Sequence, residues 1–161
     1  MGQITFGSFP RSGNHFFKHL TNCNWLIHRI QPLSIEKNVV VSIRNPLDCI
    51  PSWIVATKDN RVNRAEKNIE WYCSYYQKCK ELEIVIIPFE QLICEPLHCI
   101  NYVEKKYNLD LTKSLEYDLS TNFHSPTVDK SEYSIIVKEI MNEPTYTIAK
   151  SLFEELCVPV G

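Results

Sequence analysis

The sequence predicts an α/β domain built on a central parallel sheet, and three observations carry that expectation. Residues 38–43 (NVVVSI) and 83–88 (EIVIIP) are almost continuously apolar and β-branched, as in a strand covered on both faces. Each run gives way to a segment in which apolar residues recur at helical spacing. A third run, residues 3–9 (QITFGSF), passes through a break of Gly, Ser and Pro into another helix-like stretch, so strands and helices alternate along the chain.

Gly7, Ser8 and Pro10 punctuate the end of the first strand, and residues 14–20 (NHFFKHL) open a helix with Phe16, Phe17 and Leu20 on one side. Residues 21–38 read as a short strand or loop around Trp25, Leu26 and Ile27, followed by a turn of helix beyond Pro32. The strand at 38–43 stops at Arg44, Asn45 and Pro46. Pro46 suits the first position of a helix, and Leu47, Ile50, Trp53 and Ile54 follow with its period. Pro51 inside that helix should kink it. Polar residues 58–66 read as an exposed approach to a long aromatic-rich helix at about residues 65–81. After the strand at 83–88, residues 89–92 read as a turn and 96–107 as a helix. An irregular loop over 120–131 carries Phe123, His124, Pro126 and Lys130, and a closing helix fits 145–156. With no repeat, low-complexity tract or Gly/Ser linker, residues 1–161 read as a single domain.

Composition narrows the function classes. The 161 residues carry a net charge of −2, which argues against a general nucleic-acid or membrane-surface binder, since such proteins gather an excess of Lys and Arg. No window is apolar enough to span a bilayer, and no basic stretch leads into an apolar one near the start. The expectation is a soluble, cytoplasmic chain that is not exported. The 7 cysteines are odd in number and include no CxxC pair, so they read as buried or half-buried free thiols. The 5 histidines form no HExxH or HxH pattern, which gives a metal site little support.

Two segments carry chemistry, and both lie where a strand ends and a helix begins. The first, Gly7 to His15 (GSFPRSGNH), lets backbone N–H groups turn inward ahead of a helix N-terminus, which suits an anion. A nucleotide P-loop would read GxxxxGK and then Ser or Thr. Here Asn14 and His15 follow Gly13 instead, and the basic residue is Arg11, ahead of that glycine. This argues against magnesium-dependent ATP or GTP chemistry. It favours a phosphate met by Arg and backbone amides. The second segment is Arg44-Asn-Pro-Leu-Asp-Cys-Ile-Pro-Ser52. An Arg at the tip of a buried strand is costly unless it meets an anion, and Ser52 adds a hydroxyl. Asp48 is the competing partner, as an ion pair for Arg44 or as a helix cap.

Together these segments resemble the sulfotransferase family. Its 5′-phosphosulfate loop, PKSGTTW or PRSG, is similar to Pro10-Arg-Ser-Gly-Asn-His-Phe16, and its 3′-phosphate motif, RNPxDxxxS, matches residues 44–52 at every defining position. Ile87-Pro-Phe-Glu-Gln-Leu92, with Pro96 beyond it, looks like the family's YEDL segment with Phe89 in place of Tyr.

The resemblance implies a P-loop-like three-layer fold, with a central parallel sheet flanked by helices. It implies an enzyme that moves a sulfuryl group from 3′-phosphoadenosine 5′-phosphosulfate (PAPS) to a hydroxyl or amine of a small-molecule or glycan acceptor. The product is 3′-phosphoadenosine 5′-phosphate (PAP), and no metal, nucleic acid or membrane takes part. Arg11 is expected to stabilise charge on the departing phosphate. Ser12, Gly13, Asn14 and His15 are expected to line the 5′-phosphate, with Phe16 beside the adenine and Arg44 and Ser52 on the 3′-phosphate. His28 is the candidate base, with His15, Glu36 and Glu70 as alternatives. The family's C-terminal RKGxxG loop has no recognisable counterpart, and Lys130 is the candidate to supply its cation. A shortened, non-catalytic binder of PAPS, PAP or an adenine nucleotide is the rival reading, and a small P-loop nucleotide kinase a further one. The oligomeric state is left open.

Overall fold

The computed structural model describes residues 4–12, 17, 21, 26–28, 36–111 and 130–161. The β-branched run forms strand β3 (Val39–Ile43), and all of it is buried. It lies between β1 (Thr5–Ser8) and β4 (Val85–Pro88), while β1 also pairs with the two-residue β2 (Leu26–Ile27). The sheet is parallel throughout, in the order β2-β1-β3-β4.

Alternate side chains of β3 enter two apolar clusters, which is why a run of apolar residues on both faces suits this strand. Val39, Val41 and Ile43 pack with α1 (Pro46–Thr57), α2 (Arg64–Glu81), α5 (Lys130–Asn142) and α6 (Tyr146–Leu156). Val40 joins Phe6, Val85 and Ile87 against Phe17, Leu92 of α3 (Phe89–Cys94) and Cys99, Ile100 and Val103 of α4 (Pro96–Tyr107). Phe17 stacks on Phe6 at 4.1 Å and belongs to helical backbone. The rest of the helix expected over 14–20 lies outside the described residues, as do Trp25, Pro32, Cys23 and residues 112–129 with Phe123, His124 and Pro126. Among the described residues, no helix is long and apolar enough to cross a membrane.

Three local expectations need correction. Residues 89–94 form a short helix rather than a turn, because Leu92 is drawn fully into the second cluster and a segment of this length shows no periodicity to read. Lys130 opens a helix rather than ending a loop, and Ile136 and Ile140 bury that helix against the first cluster. Cys94 is exposed, whereas Cys49, Cys79 and Cys99 are buried and Cys73 and Cys157 half-buried, all as free thiols. Pro51 does lie inside α1. It cannot donate to the carbonyl one turn back, on Leu47, and the Tyr133 hydroxyl donates to that oxygen instead at 3.1 Å.

Candidate functional site

The strand order reverses direction between β1 and β3, the position at which an open parallel sheet forms a crevice at its strand C-termini. The chain leaves β1 for a neighbour on one side, β2, and leaves β3 for a neighbour on the other, β4. Open parallel sheets bind ligands outside the strand C-termini at such a point. The register brings the following residues level with one another, since Ser8 pairs with Ser42, Gly7 with Ile27 and Ile43 with Pro88. His28 therefore emerges beside Ser8, Arg44 beside Phe89, and residues 9–12 beside the exit of β3.

Arg11 and Arg44 meet there. Arg11 has φ 68°, a left-handed conformation that strains a residue with a Cβ by about 1–3 kcal/mol. Its carbonyl accepts a hydrogen bond from Arg44 Nη1 at 2.9 Å, and the Ser42 hydroxyl donates to the next carbonyl, on Ser12. Arg11 Nε donates to Ser52 Oγ at 3.0 Å, bridging the two motifs across 41 residues of sequence. Ser52 reaches this point because Asn45 caps α1, its Oδ1 accepting from Leu47 N at 2.9 Å, with Pro46 in the first turn.

The charge balance is unusual for a half-buried location. Burial first, and then the neighbouring Arg44 charge, lower the Arg11 guanidinium from its ordinary value. Among the described residues, no carboxylate forms an ion pair with Arg44. Asp48 therefore neither pairs with Arg44 nor caps α1. The Arg44 guanidinium instead lies over the Phe89 ring, 4.4 Å from its centroid, and its buried Nε makes no hydrogen bond among the described residues. Two cations held close at strand ends form a field that favours a multiply charged anion.

Neighbouring groups limit the chemistry. Burial pushes the Cys49 thiol up to about 12, despite the nearby Arg44, so it stays a thiol beneath the Arg44 carbonyl and supplies no nucleophile. Ser12 is fully buried, with its hydroxyl beside Cys49 and Tyr76 but in no well-aligned hydrogen bond among the described residues. Gly13, Asn14, His15 and Phe16 lie outside the described residues.

His28 stands at the edge of the same crevice. Its Nδ1 lies 2.9 Å from Ser8 O, and a carbonyl can only accept, so Nδ1 carries the hydrogen. In the neutral ring this leaves the Nε2 lone pair available to accept a proton. Glu36 is exposed ahead of β3, at the opposite end of the strand from Arg44. Glu70 is ion-paired with Lys67 on the exposed side of α2. Lys130 is exposed at the first residue of α5, one turn before Tyr133, whose hydroxyl touches the start of α1.

The aromatic run on α2 divides. Tyr72, Tyr75 and Tyr76 are fully buried core residues, whereas Trp71 and Trp53 are half-buried and meet edge to face at 5.9 Å. The sequence reading missed what two of these tyrosines do with their hydroxyls. Tyr72 donates to Arg44 O at 2.9 Å and Tyr76 to Ser42 O at 2.7 Å. Helical spacing marks such residues as core, and nothing in it signals a polar role. Comparison of the chain with protein-family models, with characterised proteins and with solved structures finds no match.

Proposed function

We propose that the crevice between β1 and β3 binds PAPS and that the chain transfers its sulfuryl group to a hydroxyl or amine acceptor. The observation that carries this reading is the meeting of Arg11, Arg44 and Ser52 at the strand ends, with no carboxylate among the described residues paired to Arg44. The sulfotransferase-like spacing of residues 10–16 and 44–52 supports it. The parallel sheet with apolar clusters from both faces of β3 is compatible with the P-loop-like three-layer arrangement of that family.

In this scheme Arg44 and Ser52 hold the 3′-phosphate, the group that distinguishes the donor from ATP. Arg11, with backbone N–H groups of residues 12–15, meets the 5′-phosphosulfate. The donor supplies an electrophilic sulfur and a phosphate leaving group. The acceptor oxygen or nitrogen forms a bond to sulfur as the bond from sulfur to the 5′-phosphate oxygen breaks, and its proton passes to His28 Nε2. Arg11 offsets the charge that grows on the departing oxygen. No metal is needed for this balance, and Lys130, exposed at the first residue of α5, is the proposed further cation.

Calorimetric titration with PAP, 5′-AMP and ATP, with and without magnesium, tests the reading. PAP should bind in preference to 5′-AMP, and magnesium should have no effect. Arg44→Ala should weaken PAP binding by about 10- to 100-fold and 5′-AMP binding little, because only the former carries the second phosphate. Equal losses for both ligands would remove Arg44 from that role. Magnesium-dependent ATP binding would favour a kinase, and PAP binding without transfer to any acceptor a non-catalytic binder.

A further inference from the structure

We propose that Tyr72 and Tyr76 of α2 are positioning residues for this anion site, their hydroxyls setting where Arg44 and residues 9–12 stand. The inference rests on the reading of the crevice as a donor site. One helix reaches the C-terminal ends of three strands through three side chains, Trp71, Tyr72 and, one turn on, Tyr76. Trp71 Nε1 donates to His28 O at 3.1 Å, beyond β2. Tyr72 donates to Arg44 O at 2.9 Å, at the exit of β3. Tyr76 donates to Ser42 O at 2.7 Å and accepts from Phe9 N at 3.2 Å, joining the ends of β3 and β1. The segments so held carry His28, Arg44 and Arg11.

Packing alone does not ask for these hydroxyls. The Tyr72 and Tyr76 rings are fully buried, 4.7 Å apart, and a phenylalanine ring would fill the same space. A buried hydroxyl is tolerated only with a partner, and here the partners are backbone groups next to the site. Fixing the Arg44 carbonyl fixes the peptide from which its side chain departs. That side chain then keeps Nη1 on Arg11 O and its plane over Phe89. Arg11 is itself in a left-handed conformation, so its loop relies on contacts from outside to stay in place.

Tyr107 provides an internal control. Its hydroxyl donates to Val39 O at 2.7 Å, the same kind of bond at the opposite end of β3. The experiment titrates the wild-type chain, Tyr72→Phe, Tyr76→Phe and Tyr107→Phe with PAP and with 5′-AMP, alongside thermal melting. Tyr72→Phe should weaken PAP about tenfold and 5′-AMP far less, because it acts through Arg44. Tyr76→Phe should weaken both ligands, because it also holds Phe9. Tyr107→Phe should lower the melting temperature yet bind both as wild type does. If Tyr72→Phe binds like wild type, or Tyr107→Phe loses as much, the positioning role is overturned while the donor-site reading stands. A wild-type chain indifferent to the 3′-phosphate overturns the donor reading and this inference with it. Should Tyr72→Phe fail to fold, Tyr76→Phe set against Tyr107→Phe decides the same question, and wild-type affinity in Tyr76→Phe overturns the role.

Discussion

Pro51 removes one N–H from α1, and the Tyr133 hydroxyl of α5 meets the Leu47 carbonyl thereby released. The same hydroxyl lies 3.5 Å from Asp48 O, so a single phenol ties the start of α5 to the first turns of α1. Tyr133→Phe should therefore reduce stability by about 1 kcal/mol, measured by urea unfolding. In a Pro51→Ala background the restored N–H can serve Leu47, and the same substitution should have a much smaller effect. Equal losses in both backgrounds would show that the hydroxyl does not replace the missing donor. At this scale Arg11, Arg44 and Ser52 are legible as candidates, because guanidinium and hydroxyl groups are costly at strand ends without a polar ligand. Tyr133, Tyr72 and Tyr76 are not, because their partners are backbone carbonyls, which have no signature in a sequence.

Helix boundaries follow from local chemistry where a capping residue or proline marks them. Asn45 and Pro46 start α1, and Pro96 starts α4. The C-terminus of α1 is less well matched to its backbone. Lys58 takes φ 53° there, its N–H bonding to carbonyls of the last turn, in a conformation that Gly adopts without strain. Lys58→Gly should raise stability by about 0.5–1 kcal/mol, since the relieved strain outweighs the added freedom of the unfolded chain. A lower denaturation midpoint would show that the lysine side chain matters more than its backbone. Asn108 ends α4 in the same left-handed region, where asparagine is better tolerated than lysine, so the same change there should matter less.

At the level of the whole molecule, two carboxylates join the helical layer on one face of the sheet. Asp59 accepts hydrogen bonds from Arg61 and Asn68, and Glu139 of α5 accepts two from Arg64 of α2. Arg61 holds the Asp59 carboxyl well below the ordinary carboxylate range, and Arg64 lowers Glu139. A carboxylate depressed in the folded state adds stability above its unfolded value, about 4, and that contribution fades as pH falls further. Glu139→Gln should accordingly lower the melting temperature at pH 7, with the gap to wild type narrowing towards pH 3. A gap that stayed constant across that interval would mean the ion pair contributes nothing that titrates. On the other side of the sheet, Gln91 of α3 exchanges two hydrogen bonds with Val160, at 2.9 and 2.8 Å, so the segment after α6 is tied back to α3.

The sequence by itself determined the elements whose patterns are local. Val39 to Val41 announce a strand buried on both faces, and Pro46 and Pro96 announce helix starts. Each such signal is a steric or periodic property of adjacent residues and survives without knowledge of the fold. Tertiary structure alone decided that Arg11 Nε meets Ser52, that Phe89 rather than Asp48 receives the Arg44 guanidinium, and that α2 holds three strand ends. It also made residues 89–94 helical by burying Leu92. Those outcomes depend on parallel register, which sets residues distant in sequence level with one another, and register is a property of strands in a sheet rather than of any one segment.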